Sequence, residues 1–297
     1  MMAIACVGIT VLDRVQLVSQ LPNSGGKYVA HNYFEVGGGP AATASVAVAK
    51  LGHSVDFIGR VGCDGVADTM LSELAGYGVG VDNTIKIPGA SSAFSAVIVD
   101  NEGERMIINY QDESLSKDIT PLKNVDFSTY STILTDVRWL EGATYALEQA
   151  KKLGIPSVLD ADLTPEPIDV LVKLADHVAF SEPGLAKFTG TNDPIEGLKL
   201  AQKKTPGRVY VTVGSKGCYW LENGELAHQV GLKVDVVDTT GAGDVFHGAL
   251  AVAVAEQMET RQSIIFSNTV AALKCQKLGG REGIPNRKDV DINIVNK

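Results

Sequence analysis

A short turn of two glycines and an alanine, Gly241-Ala242-Gly243, limits the folds that are open to this chain. Residues 233–237 before it are mostly apolar and are predicted to form the end of a strand. From Asp244 to residue 253 the chain continues with apolar and small residues, a pattern that predicts a buried helix. The sequence therefore predicts a strand, a glycine turn and a helix N-terminus in succession.

Such a turn is suited to binding an anion. The backbone N–H groups of Ala242, Gly243 and Asp244 are expected to be unpaired at the positive end of the helix dipole. Asp244 alone could simply cap the helix, because aspartate is favoured there. Asp238 and two threonines precede the turn and small residues follow it, which favours a phosphoryl-transfer site where backbone and ligand approach closely.

Composition excludes several classes of function. The net charge of −9 argues against nucleic acid and anionic membranes as partners. No apolar run has membrane length, and no basic segment leads into a cleavable signal, so we expect a cytoplasmic protein. The four cysteines, at 6, 63, 218 and 275, are too scattered for a zinc site or a disulfide framework and are predicted to be buried free thiols.

Apolar runs of strand length alternate with helical segments over most of the chain. The predicted strands cover 3–9, 131–137, 157–162, 177–180 and 209–213. This alternation predicts one α/β domain over 1–297, with a doubly wound, mainly parallel sheet flanked by helices. The segments 14–36 and 92–110 differ, because short alternating stretches flank turn signals there; they predict a small antiparallel sheet.

Two motifs near the N-terminus are candidates for ligand contact. Asp13 follows the first predicted strand, and ligands of open α/β sheets gather beyond such strand ends, although a turn aspartate would look the same. Gly37, Gly38 and Gly39 precede a helix predicted over 44–52, and glycines there let a ligand approach the backbone.

The motif Asp-Thr-Thr-Gly-Ala-Gly-Asp-Val-Phe, together with Gly8 and Asp13, resembles the signatures of the ribokinase-like (PfkB) sugar kinases. The resemblance implies an ATP-dependent kinase in which Gly241, Ala242 and Gly243 form the anion hole for the transferred phosphoryl group. It makes Asp244 the base that activates a sugar hydroxyl. The antiparallel sheet would be a lid over the sugar and the interface of a homodimer.

The resemblance also assigns further residues. Sugar contacts are implied for Asp13, Gly38 and Gly39, nucleotide contacts for Thr212, Gly214 and Gly217, and adenine contacts for Asn268 and Ala271. Asp238 and Thr240 would belong to a site for a monovalent cation such as K⁺. Mg²⁺ is expected with ATP, but the family's N-x-x-E motif reads Ser181-Glu182-Pro183-Gly184 here, so Glu182 or Asp162 would replace its glutamate.

Three side chains bear on the acceptor. Lys27, Asn109 and Arg138 are each typical of a solvated surface, but together at one cavity they would suit a tetrahedral anion. Long matches such as Gly-Lys-Tyr-Val-Ala and Asp-Val-Arg-Trp resemble the 6-deoxy-6-sulfofructose kinase branch of the family. The alternatives are a fructose-6-phosphate or tagatose-6-phosphate kinase and a non-catalytic sugar or nucleotide sensor.

Overall fold

The computed structural model describes residues 2–295 and contains a central sheet of eight strands. Six neighbouring strands are parallel, and two antiparallel strands close one edge. From that edge the order is β14 (Glu225–Gln229), β13 (Cys218–Glu222), β12 (Arg208–Thr212), β11 (His177–Ser181), β10 (Ser157–Ala161), β9 (Tyr130–Asp136), β1 (Ala3–Val7) and β4 (Val55–Ile58).

Helices cover both faces of this sheet. Ile4 and Cys6 of β1 pack into one hydrophobic cluster, whereas Ala5 and Val7 pack into another on the opposite face. The first face is covered by α1 (Pro40–Lys50), α2 (Gly65–Gly76), α7 (Ala242–Ala255) and α8 (Thr260–Lys274). The other face carries α3 (Leu140–Leu153), α4 (Asp169–Leu174), α5 (Glu182–Thr189) and α6 (Pro194–Gln202), and α9 (Arg287–Val295) packs on α8. The predicted doubly wound α/β fold is confirmed.

A second sheet of four strands is formed by the segments predicted as the lid, and we refer to it as the lid sheet. Its order is β3 (Asn32–Gly38), β2 (Val11–Leu17), β7 (Phe94–Val99) and β8 (Arg105–Tyr110). The two outer pairs are antiparallel as expected, but the central pair β2–β7 is parallel, because its strands come from separate segments of the chain. Two short strands, β5 (Arg60–Gly62) and β6 (Ile85–Ile87), pair with each other.

Some local predictions were wrong. Residues 233–237 are not a strand, because the chain leaves the sheet after β14 and Val237 and Asp238 instead donate their N–H groups to the carbonyl of Cys275, at 2.8 and 3.1 Å. In the segment 14–36, predicted to form part of the antiparallel sheet, the second strand begins only at Asn32 and extends to Gly38. Cys63 is exposed, whereas the other three thiols are free and buried as predicted. Among residues 2–295, no helix is long and apolar enough to cross a membrane.

Candidate active site

A cavity of about 740 Å³ lies between the inner face of the lid sheet and the loops at 236–240 and 278–280. The parallel strands β9, β10, β11 and β12 all end at the same edge of the central sheet, and polar residues follow them there. Asp244 lies outside the lining, four residues beyond Thr240. The core wall of the cavity consists of Ile9 after β1, Gly39 and Pro40 at the start of α1, Arg138 after β9 and the two loops. The lid wall consists of the sheet β3–β2–β7–β8. Ligands of doubly wound sheets bind in this position.

The glycine turn opens α7 two residues earlier than predicted. Gly241 is the N-cap at φ +74°, a conformation that favours glycine, and the helix begins at Ala242. The N–H of Ala242 is not free, because it donates to the Thr239 carbonyl at 3.1 Å. The predicted anion hole is therefore reduced to the helix N-terminus at Gly243, which is exposed, and Asp244.

Asp244 lies half-buried in the first turn of α7. Burial raises its pKa to about 7, and repulsion from the nearby Asp160 adds to the rise, while His247 opposes it. A carboxylate with a pKa near neutrality is well matched to accepting a proton from a hydroxyl.

A buried pair that sequence reasoning missed lies near Asp244. His247 Nδ1 is 3.3 Å from Asp160 Oδ2, and His247 Nε2 is 3.0 Å from the Ala179 carbonyl; both side chains are almost fully buried. Burial raises the pKa of Asp160 well above its usual value and lowers the pKa of His247, so burial disfavours the charged form of each side chain. The three-residue spacing of Asp244 and His247 on a helix was the available sequence signal.

Asp136 anchors the N-terminal glycine segment to the sheet. Its carboxylate accepts the N–H groups of Ile9 (2.9 Å), Ala41 (3.1 Å) and Arg138 (2.8 Å). Burial raises the pKa of Asp136, and these three donors oppose the rise. The carboxylate thus holds the first turn of α1 against the end of β9.

Gly38 and Gly39 lie where β3 passes into α1. Gly39 has φ +93°, and a Cβ there would come 2.5 Å from the Ile9 carbonyl oxygen. A Cβ on Gly38 would lie 2.6 Å from a carboxylate oxygen of Asp13. Both positions therefore require glycine for a close approach, and this approach keeps the Asp13 carboxylate beside the backbone.

The lid wall carries one polar row across an apolar face. Asp13, Ser95 and Asn109 are direct neighbours in the register of β2, β7 and β8 and all line the cavity. Ser95 Oγ donates to Asn109 Oδ1 at 2.9 Å. Burial raises the pKa of Asp13, and the neighbouring Ser95 hydroxyl opposes this rise. The sequence predicted Asp13 and Asn109 but missed Ser95, which the alternation of 92–99 places on the same face as Val97.

The proposed anion-binding side chains do not all meet. Arg138 lines the cavity and donates from Nη2 to Asp162 Oδ2 at 3.0 Å, while Ser181 Oγ donates to Asp162 Oδ1 at 2.7 Å. Lys27 is exposed in the lid turn and lies outside the lining. Within residues 2–295 the cationic side chains of the lining are Arg105 and Arg138.

The two carboxylates that could replace the missing N-x-x-E glutamate differ in position. Asp162 belongs to this network at the end of β10, whereas Glu182 is exposed at the first position of α5. Within the described part of the chain, no three carboxylate, His or Cys side chains cluster to hold a metal ion. A Mg²⁺ ion here would therefore depend on nucleotide phosphates and water for most of its ligands.

The loops that close the cavity are tied together through Asp238. Its carboxylate accepts the N–H of Thr240 at 2.8 Å and that of Gly279 at 2.9 Å. From the lid, Arg105 Nη1 donates to Thr240 Oγ1 at 3.0 Å. The lid wall and the core wall are therefore in contact beside the glycine turn.

The predicted nucleotide residues converge only in part. Gly217 (φ +86°) packs against the backbone of residues 229–231, and Asn268 Nδ2 donates to the Gln229 carbonyl at 3.1 Å, so both meet the same segment. Thr212 ends β12 with its hydroxyl donating to the Phe180 carbonyl at 3.3 Å, and Gly214 follows at φ +47°. Ala271 lies partly buried on α8, one turn from Asn268.

Comparisons with known proteins agree with this geometry. The family model "pfkB family carbohydrate kinase" matches residues 1–287. Ribokinase of Haemophilus influenzae is 27% identical, with 93% of each chain covered, and ribokinase of Schizosaccharomyces pombe is 31% identical, with 86% and 85% covered. The structure of Arabidopsis thaliana ribokinase complexed with ribose and ATP superposes with a TM-score of 0.88 at 26% identity, covering 98% of each chain.

The fold and site thus define a phosphotransferase of the doubly wound α/β class. The chain belongs to the PfkB family of carbohydrate kinases. The enzyme class expected from the sequence, an ATP-dependent carbohydrate kinase, is confirmed.

Proposed function

We propose that this kinase transfers the γ-phosphoryl group of ATP to the C1 hydroxyl of 6-deoxy-6-sulfofructose, giving the 1-phosphate. The observation that carries the proposal is the placement of Arg138 in a cavity whose lid wall bears the polar row Asp13–Ser95–Asn109. A row of hydroxyl-binding groups with an arginine fits a sugar that carries an anion at the end remote from the reacting hydroxyl.

Asp244 supplies the base in this mechanism. With a pKa of about 7, its carboxylate accepts the proton of the C1 hydroxyl as the oxygen attacks the γ-phosphorus. A bond forms between that oxygen and phosphorus, the bond to the bridging oxygen of ADP breaks, and ADP leaves with its electron pair. The N-terminus of α7 at Gly243 stabilises the charge on the transferred group, with Mg²⁺ supplied alongside the nucleotide.

The charge around Arg138 favours a sulfonate over a phosphate. Its guanidinium already pairs with Asp162, and Arg105, the other cation of the described lining, is engaged with Thr240 near the glycine turn. A sulfonate carries one negative charge near neutral pH, whereas a phosphate monoester carries nearly two. With one partly neutralised arginine, the monoanion is the better match.

Fructose 6-phosphate and tagatose 6-phosphate are the second candidates, because Arg138 and Asn109 would also hydrogen-bond a phosphate. The relatives above are ribokinases, which makes ribose a necessary comparison. Lys27 could join the anion only if the lid moved or a second subunit supplied it, since it lies outside the cavity lining.

A homodimer through the lid belongs to the same proposal. The lid sheet leaves Tyr33, Met106, Ile108 and Tyr110 exposed on strands β3 and β8. Because β3 and β8 are the two edge strands of this sheet, exposed apolar side chains there are typical of edges that a second copy covers.

The test is kcat/KM with Mg-ATP for sulfofructose, fructose 6-phosphate, tagatose 6-phosphate and ribose, measured on one preparation. We expect sulfofructose to lead by about 100-fold or more, because a site built to hydrogen-bond a charged group rejects sugars that lack it. A preference for either sugar phosphate would show that the acceptor is an ordinary sugar phosphate. A preference for ribose would contradict the hypothesis of an anion-binding pocket. Binding of sugar and nucleotide without turnover would instead favour the sensor.

A further inference from the structure

A buried lysine lies under the loop that carries the glycine turn. Lys274 is the last residue of α8, and its side chain is completely buried. Its ammonium donates to the Asp238 carbonyl oxygen at 2.9 Å and lies 3.9 Å from Asp238 Oδ2. Asp238 precedes the turn Gly241–Gly243 by three residues, so the ammonium lies directly behind the phosphoryl-transfer loop.

Carboxylates of the site stabilise the positive charge of this ammonium. Burial lowers the pKa of Lys274, while Asp238 raises it and Asp244 contributes in the same direction. An unpaired buried ammonium would be strongly unfavourable, so the pairing with Asp238 is necessary for its presence. The lysine therefore brings a positive charge to a region where the phosphates of ATP add several negative charges.

The same oxygen atoms are those that a monovalent cation would need. The sequence resemblance assigned Asp238 and Thr240 to such a site, yet the Asp238 carbonyl is occupied by Lys274. The Asp238 carboxylate accepts Thr240 N–H and Gly279 N–H, and Thr240 Oγ1 accepts Arg105. Four oxygen atoms of the two residues, namely the Asp238 carbonyl, both Asp238 carboxylate oxygens and the Thr240 hydroxyl, each accept a hydrogen bond from a protein donor, so this set of oxygens fits K⁺ poorly.

We propose that the Lys274 ammonium is a built-in replacement for the monovalent cation, which fixes the Asp238–Asp244 loop and makes the enzyme independent of K⁺. Lys274 acts as a positioning residue, since it reaches the anion site through Asp238. Asp238 in turn binds the second loop of the cavity, because its carboxylate accepts the N–H of Gly279. The inference depends on the kinase site of the family and not on the identity of the acceptor.

The first measurement uses the wild-type protein with K⁺, Na⁺ or tetramethylammonium as the only monovalent cation. We expect the same kcat and the same melting temperature in all three salts at equal ionic strength. A clear activation by K⁺, or a K⁺-specific rise in melting temperature, would overturn the proposal, because it would show a separate cation site.

Two variants at the same position complete the test. Lys274→Ala leaves a cavity beside Asp238, and we expect kcat to fall by about tenfold or more, with KM less affected. K⁺, NH₄⁺ or methylammonium should then restore most of the loss and raise the melting temperature, because a small cation can enter the cavity. Lys274→Met fills that space without a charge, so its loss should not be restored.

Lys277→Ala, which removes an exposed lysine one turn away, serves as the control and should behave as the wild type does. Full activity of Lys274→Ala without added cation would contradict the proposal. The proposal would also be contradicted if Lys274→Ala folds but loses activity and no added cation restores its kcat or its melting temperature. Lys274 would then have a structural role alone. The melting measurements need no acceptor, so an error in the acceptor assignment would leave them valid.

Discussion

The two walls of the cavity are built differently. On the core side, Asp244 lies near Asp160 and His247, which are almost fully buried and fixed by a strand and a helix. On the lid wall, β8 is exposed along its whole length, and the polar row is held by the register of a small sheet. Burial shifts pKa values strongly on the core side, whereas the lid wall offers hydrogen-bonding groups among apolar side chains.

This difference suggests a division of function. A general base needs a low-dielectric environment and fixed geometry, which packed elements provide. A lid that must admit a sugar can use shallow hydrogen bonds and open again. We therefore expect substitutions at Asp244 to affect kcat, and those on the lid wall and at Arg138 to affect KM and the choice of acceptor.

The largest effect is expected for Asp244, the proposed general base. Asp244→Asn should lower kcat by about 10³-fold with little change in KM, because the amide cannot accept the proton. The measurement is steady-state kinetics with the preferred acceptor, with ATP binding by calorimetry as the control for folding. Near-normal turnover of the variant would show that another group acts as the base.

Arg138→Ala should lower kcat/KM for the anionic acceptor by about 100-fold and for fructose by less than about threefold. Arg138→Lys is the matched variant, because it keeps the charge but loses the bidentate geometry, and it should recover only part of the loss. Equal losses on both sugars would mean that Arg138 supports the fold through Asp162 and does not bind the acceptor.

The pH dependence should follow Asp244. Since the base must be ionised, kcat/KM should fall about tenfold per pH unit below the pKa of about 7 and level off above it. Protein stability should change with pH in the opposite direction to activity. A carboxyl group whose pKa is raised by folding binds its proton more tightly in the native state than in the unfolded state. Loss of that proton therefore destabilises the protein as pH rises from about 4 to 7.

That linkage gives a further check on the same residue. At pH 8, Asp244→Asn should raise the free energy of unfolding by about 1–2 kcal/mol, less than the full shift because the side chain is only half-buried. At pH 4 the variant and the wild type should be nearly equal. Denaturant unfolding at the two pH values tests this, and a variant that is less stable at pH 8 would contradict the raised pKa.

Alanine substitutions at Gly39 and Gly243 should distinguish the effect of backbone strain from that of ligand contact. Gly39→Ala should cost about 1–3 kcal/mol of stability, because φ is +93° and the new Cβ would crowd the Ile9 carbonyl. Gly243→Ala is the control, since a Cβ there meets nothing within 4 Å and should change the melting temperature little. Similar melting temperatures for the two variants would argue against the close approach at Gly39.

The smallest effect is expected for Lys27→Ala, because Lys27 is exposed outside the cavity. We predict less than about a threefold change in kcat/KM, in line with a solvated surface charge. A loss as large as that of Arg138→Ala would show that lid movement or a second subunit brings Lys27 to the acceptor. Repeating the assay across protein concentrations would distinguish these two routes.

The sequence by itself determined the fold class and the helix N-terminus that follows the glycine turn. Apolar runs alternating with helical segments predicted the doubly wound sheet, and the glycine turn before Asp244 predicted the helix N-terminus. These signals are local, since they depend on side-chain period and on the conformations that glycine allows.

Only the tertiary structure decided which residues meet. Asp160 and His247 are 87 positions apart in the chain, and Asp238 meets Lys274 through the packing of α8. The same packing took residues 233–237 out of any sheet, because their backbone bonds to Cys275, and it left Lys27 outside the cavity. No local pattern encodes such contacts, because strand order, lid register and helix packing arise only when distant segments share one core.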